Sequence, residues 1–350
     1  MNPLDKLPLP LLEWFRDNAR SLPWRDDPTP YHVWLSEIML QQTRVAAVLD
    51  YYRRFLEEAS DVAALAALPE DRLLKLWQGL GYYNRARNLQ KAARVIVDEY
   101  GGVFPSDYAA VRSLPGVGDY TAGAVCSIAF GQAVPAVDGN VLRVYARLCG
   151  DDGDIASPQM KKKVTQAIQA AIPLHAPGAF NQALMELGAT VCLPNGAPLC
   201  DTCPAKGFCA ALAQDRVGEL PVKAPKKPRR VEERTVWLLL HENRVALRRR
   251  PDKGLLAGLW EFPHELGDGP LPPEWGMIPL WSEYAGQAKH IFTHVEWRMT
   301  VRLVRTESDK LPPGWVWAGQ GELEQTYAVP NAFARALELA REQIKETRMD

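Results

Sequence analysis

From residue 10 to about 215, apolar residues recur three and four positions apart, so this stretch reads as helix after helix. In "YHVWLSEIMLQQTRVAAVLDYYRRFLEE" the residues Trp34, Ile38, Val45, Val48, Tyr52 and Phe55 share one face. "EDRLLKLWQGLG" and "YNRARNLQKAARVIVDEYGG" each run into glycine, a common helix stop, and "KKKVTQAIQAAI" and "AFNQALMELGATVC" continue the period. At 217 the texture changes. "VGELPVKAPKKPRRVEER" carries three prolines and a run of Lys/Arg, the mark of an exposed linker. Beyond it, "RTVWLLLHENRVALRRRP" and "EWRMTVRLVR" are β-rich runs built around a turn or on alternation, and a last helix starts at about Asn331. The pattern predicts an all-α region over 1–216, a basic Pro-rich linker over 217–233 and an α+β domain over 234–345, with no internal repeat or low-complexity tract.

One turn in the helical region stands out. In "LPGVGDYTAG" (114–123) two glycines follow a Leu-Pro. A P-loop needs a lysine and a Ser/Thr after its last glycine, and a dinucleotide fingerprint needs a strand before it and Gly or Ala where Thr121 stands. Neither fits. The preceding "PSDYAAVRSL" reads as a short helix with a Ser106/Asp107 cap, Gly116 ends it, and Gly118 opens another from about Tyr120 to Phe130. A helix–turn–helix of this kind points free backbone N–H groups outward, a seat for a phosphate oxygen or an ordinary helical hairpin.

At 350 residues, 47% hydrophobic and 24% charged, the chain has room for two or more cores and is not disordered. A formal net charge of −1 lends no bulk support to nucleic-acid binding, so any basic surface is local. The start "MNPLDKLPLP" lacks a cationic, apolar leader, and no apolar run reaches about 18 residues, so a soluble cytoplasmic protein without a membrane partner is expected. Cys126 and Cys149 stand alone, whereas Cys192, Cys200, Cys203 and Cys209 fall within 18 residues, which in a reducing cytosol suggests a zinc ion or an iron–sulfur cluster.

Two carboxylates sit where chemistry is plausible. Glu37 lies a turn after Trp34 at the edge of the apolar face, where partial desolvation raises its pKa and suits a general acid. Asp138 precedes a helix at Val141 and would serve as its N-cap on structural grounds alone. Two carboxylates flanking a glycosidic bond are also what glycoside cleavage requires.

Leu114 to Gly123, Asp138-Gly139-Asn140 and the four-cysteine tail resemble the helix-hairpin-helix DNA glycosylase superfamily. "LPWR", "VWLSEIMLQQTRV", "GLGYYNRARNL" and "FNQALMELGA" narrow the resemblance to the adenine DNA glycosylases, the MutY family, through most of residues 14 to 209. The resemblance implies a multidomain protein: an all-α helix-hairpin-helix glycosylase region, in which a six-helix module spans about 24–132 with its hairpin at 108–130, and residues 1–23 with 133–216 form the cluster module. It implies removal of adenine mispaired with 8-oxoguanine or guanine in double-stranded DNA, by a bacterial-type, nucleoid-associated monomer. Glu37 would protonate the adenine, and Asp138 would stabilise the oxocarbenium ion or attack the sugar. Tyr120 and Asn140 would position the sugar and Asp138. Trp24, Arg25, Leu40 and Gln182 would line the pocket of the extruded adenine, a step that base chemistry on duplex DNA requires. Gln41, Gln42, Thr43 and Tyr82 would fill the stack and probe the opposite base, Gly116 and Gly118 would hold a phosphate, and the four cysteines would carry one 4Fe–4S cluster.

The related endonuclease III group has a lysine nucleophile where this chain has Tyr120, so the resemblance implies base removal without strand cleavage. Two departures stand out. Seven residues separate Cys192 from Cys200 where the family has six, and the intervening loop holds no Lys or Arg, leaving Lys206 or backbone N–H groups for nearby DNA. The C-terminal region resembles the family's Nudix-like 8-oxoguanine-recognition domain through "RRRPDKGLLAGLWEFP" and "HIFTHVEW", whose Phe292-Thr293-His294 carries threonine for the usual serine. The glutamate-rich metal box of a Nudix hydrolase has no counterpart. Two other readings stay open: a bifunctional glycosylase/lyase, and a non-catalytic protein that binds damaged DNA.

Overall fold

The computed structural model describes residues 2–225 and 228–346; Lys226 and Lys227 of the expected linker lie outside them. By compactness the chain divides into Met1–Ala67 with Asn88–Pro225, and Leu68–Arg87 with Lys226–Asp350. Among the described residues, no helix is long and apolar enough to cross a membrane.

The first unit is helical. It holds α1 (Pro8–Asn18), α2 (Pro23–Asp26), α3 (Pro30–Leu40), α4 (Val45–Glu58) and α5 (Val62–Ala67). After α6 (Glu70–Leu76), which belongs to the second unit, come α7 (Asn84–Tyr100), entering the first unit at Asn88, α8 (Tyr108–Ser113), α9 (Asp119–Phe130), α10 (Gly139–Cys149), α11 (Pro158–Ala171), α12 (Pro177–Thr190) and the short α13 (Ala210–Ala213). Thr29, Asp107, Asp138 and Ser157 each cap a helix by accepting the N–H three residues on, worth about 1 kcal/mol apiece. Leu11, Val141, Val144, Val164, Ile168, Phe180, Leu184 and Leu187 bind α1, α10, α11 and α12 into one core.

The apolar face running from Trp34 to Phe55 is carried by two helices. Gln41 to Arg44 offer no apolar residue to bury, and Gln42 turns the chain with φ 59°. The central helices are buried on all sides: in α3 every residue from Val33 to Met39, and in α9 every residue from Thr121 to Ser127. Such helices show little amphipathic period, because no face meets water. α9 can lie so deep because Gly123 has no side chain; a Cβ there would stand 2.1 Å from the Pro135 carbonyl oxygen.

Gly116 is constrained twice. Its φ is +76°, and a Cβ would come within 2.6 Å of Asn88 Cβ. Gly116→Ala should therefore destabilise the first unit by at least about 1–2 kcal/mol, the cost of a left-handed L-residue, with the clash adding to it. A denaturant melt checks this, and an unchanged midpoint would overturn it. Gly118 has no such neighbour, since a Cβ there would face open space.

The linker expected from 217 begins as packed chain. Leu220 is buried, its carbonyl accepts from Arg147 Nε at 2.8 Å, and Ile155 N–H donates to Val222.

In the second unit a mixed sheet contains β1 (Arg230–His241), β2 (Arg244–Arg249), β3 (Trp260–Glu261), β4 (His264–Leu266), β5 (Pro279–Ile291), β6 (Val295–Thr306) and β7 (Trp315–Ala318). Its order is β3-β2-β1-β6-β5, with β4 also pairing β1 and β7 pairing β2. β1 and β6 run parallel from Arg230↔Val295 to Leu240↔Arg305, and the other pairs are antiparallel. Along β1, Val236, Leu238 and Leu240 face a core completed by Phe333, Ala336 and Ala340, whereas Trp237 and Leu239 face Trp275. Both faces are covered, so the run "VWLLL" is apolar throughout. α14 (Gln320–Gln325) and α15 (Ala334–Glu346) close the fold, α15 being led in by a 3-10 turn at Asn331–Phe333. Between β4 and β5 the described chain has one 3-10 turn, Pro273–Trp275.

Segment 68–87 joins this unit through polar contacts that periodicity does not reveal. Lys75 Nζ donates to the carbonyls of Leu323 and Tyr327 at 3.0 and 3.1 Å, and burial lowers its pKa to about 8. Gln78 Nε2 donates to Val329 O, and Asn331 Nδ2 to Gly79 O.

Candidate active site

In the first unit, α3, α9, α10 and α12 enclose a cleft of about 1000 Å³. It gathers Trp24, Arg25, Glu37, Leu40, Gln41, Gln42, Thr43, Gly116, Gly118, Tyr120, Asp138, Asn140 and Gln182 on one surface. Residues as far apart in sequence as Trp24 and Gln182 thus line one cleft. Tyr82 does not line this cleft and belongs to the second unit.

Glu37 sits inside α3 with only 7% of its surface exposed. Desolvation is the largest influence on its carboxyl. With repulsion from Asp138 it outweighs the Tyr120 hydroxyl and the Arg25 charge, pushing the pKa up to about 7. Tyr120, on the first turn of α9, donates its hydroxyl to Glu37 Oε2 and lies 3.1 Å from Met185 Sδ. The hydroxyl therefore orients the glutamate, whereas the sequence reading had paired it with Asp138.

Asp138 caps α10. Its Oδ1 accepts the Val141 N–H at 2.8 Å and its Oδ2 accepts Asn140 Nδ2 at 2.7 Å. Burial raises its pKa against these bonds. Behind it stands a residue the sequence reading missed. Arg143 Nη2 donates to Asn140 Oδ1 at 2.8 Å and to Gly188 O at 2.7 Å, and its Nε donates to Cys192 O at 2.8 Å. One guanidinium thus joins the amide that holds Asp138 to the backbone of the first cysteine. Its signal in sequence was the i,i+3 spacing from Asn140.

Glu186 was missed as well. It is 1% exposed and holds two arginines: Arg20 Nε at 2.6 Å and Arg25 Nη2 at 2.8 Å. Burial would raise its pKa, but the two guanidiniums prevail and hold it below the usual range. It lies one turn beyond Gln182, so the helical spacing of "QALME" contained it. Trp24 is fixed edge-on against Tyr52, ring centres 5.2 Å apart. Gln41 Nε2 reaches Thr121 Oγ1 at 3.5 Å. The turn after α3 carries the exposed Gln42 at φ 59°, a conformation that costs on the order of 1 kcal/mol or more in a non-glycine residue and that persists mainly at functional sites.

Cys192, Cys200, Cys203 and Cys209 all line one small cavity, together with Arg147 and Lys206, and none is in a disulfide. Arg147 Nη1 lies 3.3 Å from Cys192 Sγ. Among the described residues no three His, Cys, Asp or Glu side chains converge on a single ligand point, so the thiols surround the cavity rather than meet in it. Four thiols around a space bordered by two cations suit an anionic thiolate cluster. Lys206 pairs with the exposed Asp201 at 2.6 Å, a surface contact screened by solvent.

In the second unit, the hairpin between β5 and β6 presents Phe292, Thr293 and His294, the last two exposed. Phe292 is seated on Trp297 and His290 with ring centres 4.9 and 4.5 Å apart. Thr293 Oγ1 is 3.3 Å from the hydroxyl of Tyr82, itself 51% exposed with φ 48°.

The helical region matches the HhH-GPD superfamily of base excision DNA repair proteins over residues 35–172, and residues 235–339 match the NUDIX domain. A solved thermostable thymine-DNA glycosylase superposes with a TM-score of 0.54 at 27% identity, covering 61% of this chain and 97% of that one. A non-covalent endonuclease III–DNA complex gives 0.52 at 26%, covering 61% and 99%. Fold and site thus define a base excision repair protein of the helix-hairpin-helix class that carries a Nudix-like domain. Sequence relatives narrow the class. The adenine DNA glycosylase of Mus musculus is 35% identical over 88% of this chain and 72% of its own length, and that of Buchnera aphidicola subsp. Acyrthosiphon pisum is 36% identical over 72% of each. The chain belongs to the adenine DNA glycosylase family.

Proposed function

We propose that this adenine DNA glycosylase of base excision repair acts, as a cytoplasmic monomer on nucleoid DNA, on adenine paired with 8-oxoguanine or guanine, and that it removes the base without cutting the strand. The observation that carries the reading is Glu37, a buried carboxyl with a pKa of about 7, held by Tyr120 in the same cleft as the capped Asp138.

Adenine leaves its stack and enters the cleft among Trp24, Arg25, Leu40 and Gln182, while Gln41, Gln42 and Thr43 take up the space it vacates. Protonated Glu37 donates to the purine ring, and the N-glycosidic bond breaks. Asp138 stabilises the oxocarbenium ion or adds to the sugar, with Asn140 fixing its carboxylate, and Glu37 then activates water on the same face, the logic of retention with two carboxylates. Tyr120 has no amine, so no Schiff base forms at that position and the backbone stays intact. Gly116 and Gly118 leave the turn bare for a phosphate. Cys192, Cys200, Cys203 and Cys209 would hold a 4Fe–4S cluster, which supplies a rigid anchor for the surrounding loops.

Single-turnover excision from a duplex with adenine opposite 8-oxoguanine tests the reading. Breaks that appear only after alkali support it, whereas breaks without alkali, or no excision at all, overturn it. Recognition of the opposite base belongs to Phe292-Thr293-His294 with Tyr82. Replacing Thr293 and His294 together by alanine should reduce the preference for 8-oxoguanine over guanine by about 5- to 150-fold, the worth of a base-edge contact of roughly 1–3 kcal/mol. Paired single-turnover rates on the two duplexes measure it, and an unchanged ratio would move recognition elsewhere.

A further inference from the structure

α11 carries three consecutive lysines with three different surroundings. Lys163 is paired with Asp151 at 2.5 Å. Lys162 is exposed and lines neither the catalytic cleft nor its neighbour. Lys161 lines both: the cleft, and a second cavity of about 430 Å³ between α8, α9 and α11. The two spaces share Asp119, Tyr120, Val137 and Lys161, so one continuous surface leads from the catalytic carboxylates past the first turn of α9 to α11.

The charges along this surface are unevenly committed. Arg20 and Arg25 are held by Glu186. Asp119, the only carboxylate bordering the second cavity among its described lining, is paired with Arg112 at 2.6 Å. Lys161 has no ion pair among the described residues and is the cation of that cavity. The rest of the wall is neutral and includes the hydrogen-bonding groups of Tyr108 and Gln166. A second cavity whose single cation among its described lining, Lys161, has no ion pair, continuous with the cleft and opening beside the turn that leaves its backbone bare, has the chemistry of a seat for a phosphodiester chain.

We propose that the strand carrying the target adenine continues from the cleft through this second cavity, and that Lys161 holds one of its phosphates. The assignment rests on the DNA glycosylase reading and makes Lys161 a positioning residue, with no part in bond cleavage.

The experiment compares the intact protein with Lys161→Ala, Lys161→Arg and Lys162→Ala. Affinity for an adenine·8-oxoguanine duplex and for an undamaged one is measured across a salt series, and single-turnover excision is measured at saturating protein. Each neutralised phosphate adds about 0.9 to the slope of log affinity against log salt on duplex DNA. Lys161→Ala should lower that slope by about one such unit and weaken both duplexes alike, while saturated excision stays within about twofold. Lys161→Arg should restore the slope, and Lys162→Ala should leave it unchanged. An unaltered slope in Lys161→Ala, or an equal loss in Lys162→Ala, would overturn the assignment while leaving the glycosylase reading intact. Borohydride trapping of Lys161 on DNA would overturn it too, by making the amine a nucleophile. Failure of the unaltered protein to excise adenine would remove the reading on which it rests.

Discussion

Glu37→Gln should lower single-turnover excision by about 10²-fold or more, the scale of lost general acid catalysis, while DNA binding persists. Glutamine keeps the shape and can still accept the Tyr120 hydroxyl, so what disappears is the proton. The same carboxyl sets a pH profile. With a pKa of about 7 the acid is available below neutrality, and excision by the unaltered protein should fall about tenfold per pH unit above it. Stability gives an independent check. The folded pKa is raised above the ordinary glutamate value of 4.5, so relative stability is fully present below that value and is lost as pH rises towards about 7. The cost at pH 8 is on the order of 3 kcal/mol, and glutamine removes it. Glu37→Gln should therefore melt higher than the unaltered chain at pH 8 and about equally at pH 4. Near-normal excision by this variant, or a rate flat to pH 9, would end the assignment.

Asp138→Asn should be as damaging to excision, by about 10²-fold or more, because a neutral amide cannot stabilise a developing cation. Asparagine caps helices about as well as aspartate, so α10 should keep its first turn, while the amide that replaces Oδ2 can no longer accept from Asn140 Nδ2. Asp138→Ala separates the two functions, losing excision together with about 1 kcal/mol of stability. An Asp138→Asn protein that excised at the normal rate would show that the residue is a cap and nothing more. The double variant Glu37→Gln/Asp138→Asn should lose less than the product of the single losses, since the two groups serve one transition state.

Much of this was legible in the chain, and the reasons differ by element. The helices capped by Asp107 and Asp138 announce themselves because a cap before a helical run is a local signal. The break at Gln41–Arg44 is harder to read, since the apolar spacing resumes in phase and only the backbone of Gln42 shows the turn. β5 has no strong signal: most of it faces water, two irregularities interrupt its pairing, and its partner β6 supplies the buried residues. The linker ran shorter than composition suggested, because Leu220 is buried and β1 already begins at Arg230. In the cleft, residue types pointed to Glu37 as a candidate acid and to Asp138 as a cap, and resemblance supplied their neighbours. The partners of Arg143 and Glu186 are set by packing between α10, α12 and the chain before α2, which no local window contains.

Asp138 caps α10, and in the proposed mechanism it also serves the sugar, a job that asparagine could not take over. In a population of cells the consequence is a division among alleles. A change at Gly116 lowers stability and with it the amount of folded protein. Under the proposed reading, a change of Asp138 to asparagine leaves a folded protein that still binds DNA but does not excise adenine. On that reading the variant would go unnoticed by measurements of protein level and show only in an excision assay.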